Sequence, residues 1–243
     1  MTKIHELTAK IEPFDSFWEA PDNVEKGYKS FFRFYKDNYL KYMPKDKEAN
    51  ILVISCGPGY YVNLLKQQGY KNVLGIDSRD DQVKLAKARQ LNCDVAEAFP
   101  FLKEHQNEYD LIFCEQEVNH LTKAEIMDFL DLSKASLKQE GSLVMHALNG
   151  ANPITGAEAL AQNFDHYNSF TEYTFRQVLE FKNFQNIEVF PLNLYVFYKN
   201  PLNYILILVS TLYSLLFTAS FIMYGKKNRI WTKKIGAVCK RVD

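Results

Sequence analysis

The chain has 243 residues, 47% of them hydrophobic and 24% charged, with 29 basic and 29 acidic side chains. That length allows one medium domain with additions and a sizeable buried core, and the composition is ordinary for a globular protein. Zero net charge gives no general bias toward nucleic acid.

The charge is unevenly spread. Between Gly225 and Asp243 stand Lys226, Lys227, Arg229, Lys233, Lys234, Lys240 and Arg241, against Asp243 alone. A local basic cluster of this kind suits an anionic surface. Cys56, Cys93, Cys114 and Cys239 fall in no metal-ligand or CxxC spacing, and each lies in or beside an apolar run. They are expected to be buried, reduced thiols. The opening "MTKIHELTAKIEPF" has no apolar core of signal-peptide length.

In chain order, residues 14–43 are aromatic-rich, with Phe31, Phe34, Tyr35, Tyr39 and Tyr42 at helical spacing. A charged linker follows Pro44. Ile51–Ser55 reads as a strand, Tyr60–Gln68 as a helix, Asn72–Ile76 as a strand and Asp80–Gln90 as a helix. Tyr109–Glu115 is the next strand. Thr122 and Glu125 form a capping box that opens a helix running to about Lys138, where Gly141 is expected to stop it. Ser142–Leu148 is another strand. A long connection leads to a helix over Thr171–Phe181, and Ile187–Tyr198 is strand-like. Alternating strands and helices predict an open α/β sheet built from parallel βαβ units.

The turn after the first strand is "SCGPG". In such sheets ligands bind beyond the carboxyl ends of the strands. Gly57 and Gly59 let the backbone approach a ligand closely, and Asp77, at the end of the second strand, can accept the hydroxyls of a ribose. A dinucleotide fingerprint asks for a small residue where Val62 stands. That disfavours a nicotinamide-dependent oxidoreductase.

"ILVISCGPGYYVNLL", with "NVLGIDS" after it, resembles the first two motifs of the class I S-adenosylmethionine-dependent methyltransferases. "NCDVAEAFP" is similar to the third-strand motif, the segment from Tyr109 to Asn149 to the fourth and fifth strands, and "IGAVCK" to the closing strand. The resemblance implies a Rossmann-like, doubly wound seven-stranded sheet whose last strand is antiparallel. It implies S-adenosyl-L-methionine as cofactor, held by Ser55, Cys56, Gly57, Pro58, Gly59, Asp77 and Ser78. Asp94 would meet the adenine amino group, Val95 would flank the ring, and Glu115 would line the pocket. No metal is implied. The sequence departs from the family at Val53, where an acid is usual, and at Ser55, where a glycine is usual.

Methyl transfer needs an aligned nucleophile, and a hydroxyl acceptor also needs a base. By resemblance, His120 after the fourth strand is the first candidate. His166, in "DHY" with Asp165 and Tyr167, is the second. His146 sits mid-strand and is expected to be a buried, hydrogen-bonded histidine.

Pro201 to Gly225 contains no charged residue, and Lys226, Lys227 and Arg229 follow directly. The segment is long enough to span a bilayer. If the closing strand completes the sheet, however, both flanks lie on one side. Ser210, Ser214 and Thr218 put a small polar stripe on one helical face, suited to packing on protein while the rest meets lipid. A monotopic anchor, a true span and a buried or dimer-forming helix all remain open, the first preferred. The expected organisation is a helical cap over 1–44, a methyltransferase core over 45–200, a hydrophobic insertion over 201–225 and a basic segment with the closing strand over 226–243. The expected activity is methylation at the cytoplasmic membrane face, of a sugar in a cell-surface glycan precursor or of a small or lipid-linked acceptor. The alternative is a non-catalytic membrane-associated scaffold with a decayed cofactor site.

Overall fold

The computed structural model describes residues 21–114, 117–161, 164, 166–192 and 202–242. Among these, helix α1 (Pro21–Tyr39) ends in a 3-10 turn (Leu40–Tyr42) and leads to strand β1 (Ile51–Ile54). There follow α2 (Tyr60–Gln67), β2 (Val73–Asp77), α3 (Asp80–Ala88), β3 (Cys93–Val95), α4 (Ala98–Glu104) and β4 (Tyr109–Cys114). A 3-10 turn (Glu117–Asn119) precedes α5 (Lys123–Ser136), β5 (Leu137–Leu148), α6 (Gly156–Ala161) and α7 (Glu172–Phe181). The chain closes with β6 (Phe184–Leu192), α8 (Leu202–Met223) and β7 (Lys234–Arg241).

The strands form one seven-stranded sheet in the order β3-β2-β1-β4-β5-β7-β6. β1 to β5 pair in parallel, and β7 runs antiparallel to both β5 and β6. Parallel strands need crossover helices, which cover both faces. One face buries Val53, Phe113 and Val144 against Tyr35, Tyr39 and Leu65 of α1, the 3-10 junction and α2. The other buries Leu52, Ile112 and Met145 against Leu102, Phe129 and Phe175 of α4, α5 and α7. β1 lies between β2 and β4, so the strand order reverses at its carboxyl end and opens the crevice where ligands bind such sheets.

Two expectations need correction. Gly141 does not stop a helix: α5 ends at Ser136 and β5 begins at Leu137 without a loop. Gly141 sits instead at the irregularity where the β4–β5 register shifts, and a Cβ there would lie 2.8 Å from the Lys138 carbonyl. α4 carries Pro100 in its first turn, where a helix tolerates proline because the missing N–H has no partner there anyway. The predicted strand over Ile187–Tyr198 begins earlier, at Phe184; residues 193–198 lie outside the described ones, as do residues 14–20 of the first predicted helix. All four cysteines are buried and free.

α8 is mostly apolar and carries no charged residue, and none of Tyr204–Met223 is buried. At 22 residues it is about 33 Å long. Its last turns touch the domain, where Phe217 and Phe221 pack on Trp231 and the Trp231 indole N–H donates to Thr218 Oγ1 at 2.8 Å. The polar stripe is therefore not a packing face along its length. Ser210 and Ser214 donate back to the carbonyls of Ile207 and Ser210 within the helix. Leu192 and Lys234, which flank the insertion, are paired across β6 and β7.

Candidate active site

β1 delivers the chain to the crevice, and the turn that follows is bent by three left-handed residues: Ser55 (φ 56°), Gly57 (φ 51°) and Gly59 (φ 82°). Ser55 thus adopts the conformation that a glycine would take more readily, at a cost of about 1–2 kcal/mol. Gly59 caps α2 and accepts the Asn63 amide at 2.8 Å. A Cβ on Gly57 would meet nothing within 4 Å, so its outer side is open to a ligand.

Asp77 is fixed by this turn. Its Oδ2 accepts the Gly57 amide at 2.8 Å, and its Oδ1 accepts the Arg79 amide at 2.9 Å. Each carboxylate oxygen keeps acceptor capacity for a further donor. Val95 is its register partner on β3 and is 48% exposed, an apolar surface beside the acid. Ser78 is exposed next to it. Asp94 is also exposed, with its carboxylate on Lys87 of α3 at 3.0 Å. Cys56 turns its side chain into the core, so it can serve a ligand only through its backbone. Glu115, Gln116 and Asp165 lie outside the described residues.

Val62 meets its helix–strand contact in an unexpected way. A Cβ on Gly75 of β2 would lie 2.9 Å from Val62 Cγ2 and from the sulfurs of Cys56 and Cys93. The small residue that close packing requires stands on the strand rather than on the helix. Val53, paired with Gly75 on β2 and with Phe113 on β4, is part of the same apolar core.

α1 closes over the turn. Gly27 meets the Tyr60 ring so closely that a Cβ would overlap it. The Tyr28 hydroxyl donates to the Pro58 carbonyl, and the Arg89 guanidinium lies 3.8 Å from the Tyr28 ring centroid while pairing with Glu25. Burial pushes the Tyr28 hydroxyl up to about 12, with Arg89 working against it, so it stays a neutral donor. Tyr28, Tyr35 and Tyr39 are all core residues. Sequence reasoning missed Tyr28 and Arg89 as a clamp on the turn, because their partners are remote in the chain.

At the other side of the crevice, Asn119 joins three segments. Its side-chain oxygen accepts the Leu148 amide at 3.0 Å, and its carbonyl accepts the Tyr167 amide at 2.9 Å. Asn168 donates to the Leu121 carbonyl. These bonds bring His120 and His166 together, ring centroids 4.9 Å apart at 68°. His166 Nδ1 lies 2.8 Å from the Ala159 carbonyl. A carbonyl only accepts, so Nδ1 carries the proton and Nε2 the lone pair when the ring is neutral. His146 is apart from them, in the core, hydrogen-bonded through Nδ1 to the Tyr39 hydroxyl at 2.5 Å.

The open Gly57, the oriented Asp77 carboxylate and the exposed apolar Val95 form a cradle that fits an adenosyl group. Among the described residues no cluster could hold a metal ion.

A family model described as "Methyltransferase domain" matches residues 28–189. No curated protein matches the chain. Among solved structures, a SAM dependent methyltransferase from Archaeoglobus fulgidus gives a TM-score of 0.64 at 17% identity, over 89% of this chain and 97% of that one. Phosphoethanolamine N-methyltransferase 2 of Haemonchus contortus, in complex with S-adenosyl-L-methionine, gives 0.59 at 14% identity. That match takes in 96% of this chain and 61% of the Haemonchus one. Human N-acetylserotonin methyltransferase in complex with SAM gives 0.60 at 11% identity, over 99% of this chain and 62% of that one. At these identities the likeness is one of fold.

Proposed function

Because this chain belongs to the methyltransferase-domain family, we propose that it moves a methyl group from S-adenosyl-L-methionine to a hydroxyl acceptor at the cytoplasmic face of a membrane. The acceptor is a sugar of a cell-surface glycan precursor or a lipid-type molecule. The cofactor supplies an electrophilic methyl on a sulfonium and leaves as a neutral thioether. Ser55 to Gly59 hold it through backbone, Asp77 through the ribose hydroxyls, and Val95 against the adenine, with Asp94, Ser78 and Glu115 as further candidate contacts. Tyr28 of α1 and Tyr60 of α2 exclude water from the turn. His166 takes the acceptor proton at Nε2 as the new oxygen–carbon bond forms, and His120 orients the acceptor and the imidazole.

The observation that carries this reading is the turn itself. Ser55 accepts left-handed strain, and Asp77 is bound to Gly57 at 2.8 Å. A scaffold with a decayed site has no need to keep either feature. The membrane part rests on the unburied apolar surface of α8 and the basic residues after it. With both flanks paired in one sheet, a helix dipping into the interface is favoured over a simple crossing. Titration calorimetry with S-adenosylhomocysteine tests the cofactor site. Wild-type protein should bind, and Asp77→Ala should bind roughly 10- to 100-fold more weakly, the effect of losing hydrogen bonds to a charged acceptor. Folded wild-type protein that gives no heat of binding would sink the proposal.

A further inference from the structure

Where α8 ends, it meets the domain in a cleft of about 620 Å³. Gly225 takes a left-handed conformation (φ 71°) just past the helix. Its amide donates to the Ile222 carbonyl and that of Lys226 to the Phe221 carbonyl, which closes the last turn. That reversal puts Lys226 and Lys227 on the rim of the cleft. Neither forms an ion pair among the described residues. Opposite them lie Ala151, Asn152 and Thr171, and Phe221 of α8 forms the apolar wall.

The cleft has a fixed frame. Asn149 donates from its side-chain nitrogen to the carbonyls of Ile230 and Thr232 at 3.0 and 2.9 Å, and Asn152 donates to the Trp231 carbonyl. These bonds tie the loop after β5 to the segment after α8. The nearby acid, Glu172, accepts the Arg229 amide at 3.3 Å. The frame also continues to the histidines. Gly150 donates to the Phe170 carbonyl at 2.9 Å, at the end of the short stretch that begins with His166.

We infer that this cleft binds the phosphate-bearing headgroup of an anionic membrane lipid, whose chains lie along the apolar surface of α8. The inference rests on the membrane-face reading above and adds a defined site to it. The unburied apolar surface of α8 is matched by lipid chains, and two lysines at its domain end are matched by a phosphate. The helix supplies insertion into any bilayer, and the cleft supplies preference for the anionic headgroup. The two parts differ in chemistry: the helix carries no charge from Leu202 to Met223, and the cleft has two lysines on its rim.

Sedimentation of the full chain with vesicles separates the two. One set is phosphatidylcholine alone, and the other is phosphatidylcholine with phosphatidylglycerol. Wild-type protein should bind both, the anionic set roughly 30-fold more tightly, as two lysines near a charged surface allow. Lys226→Gln with Lys227→Gln should lose that preference while keeping the binding to phosphatidylcholine. Lys45→Gln with Lys103→Gln, an equal loss of charge elsewhere on the surface, should keep it. Ala151→Trp, which fills the cleft without changing charge, should lose it. S-adenosylhomocysteine binding by each variant confirms that it is folded. Equal binding to both vesicle sets would overturn the cleft and leave the membrane reading standing. A preference that survives in Ala151→Trp would mean diffuse charge attraction and would also overturn the cleft. Binding to neither set would overturn both.

Discussion

His120 and His166 stand edge to face, 4.9 Å between ring centroids, although one follows β4 and the other precedes α7. Asn119 makes the contact possible by accepting the amide of Tyr167 next to His166. If His166 is the base, His166→Gln lowers kcat by about 10²–10⁴, the usual worth of general base catalysis. Transfer of labelled methyl to a cell-envelope extract measures it. S-adenosylhomocysteine affinity should be unchanged. His120→Gln combined with His166→Gln should cost little more than His166→Gln alone, because residues that act as a unit are not additive. Full activity in both single variants would remove the pair from the chemistry.

The strain at Ser55 makes a separate prediction. Ser55→Gly should stabilise the protein by up to about 1 kcal/mol, as relief of the left-handed conformation outweighs glycine's extra entropy when unfolded. Ser55→Val should destabilise it by more than that, since a β-branched residue tolerates positive φ poorly. Urea unfolding of the three proteins gives the order. A wild type more stable than Ser55→Gly would mean that the serine side chain, not the backbone, matters most.

Gly75 is predicted to be intolerant of any side chain. Gly75→Ala places a methyl 2.9 Å from Val62 Cγ2 and the sulfurs of Cys56 and Cys93. Overpacking of this kind costs about 1–3 kcal/mol. Because Cys56 belongs to the turn proposed to hold the cofactor, binding of S-adenosylhomocysteine should weaken along with stability. Calorimetry and denaturant unfolding on one preparation test both; unchanged values would mean that α2 moves away freely.

His146 gives a pH dependence. Burial holds its pKa well below the ordinary 6.5, with Lys234 acting in the same direction. As the pH falls below 6.5 the unfolded chain takes up a proton at this position and the folded chain does not. Stability due to the neutral His146 is therefore full above pH 6.5, declines as pH falls, and levels off below the folded pKa. His146→Gln should flatten that part of the stability profile. Parallel curves for the two proteins between pH 6.5 and 4.5 would contradict it.

Much of the fold was legible because its signals are local. Thr122 and Glu125 make the capping box that their spacing suggests, each bonding the other's backbone. Apolar runs end at the glycine turn and at Asp77 as the resemblance implies. The misreading was a local signal with two meanings. Gly141 marks a strand irregularity as readily as a helix stop. Only packing against β4 distinguishes them.

By itself the sequence determined most of the strands and helices, the glycine turn from Ser55 to Gly59, and the acid at the end of β2. Each depends on neighbours along the chain: side-chain periodicity, left-handed turn geometry and capping. Tertiary structure decided the rest. It moved the small residue demanded by Val62 onto Gly75, clamped the turn with Tyr28, and joined His120 to His166 through Asn119. It also stood α8 on Trp231, with its apolar length uncovered. These relationships arise from contacts between segments far apart in the chain, and no pattern within either segment encodes the other's position.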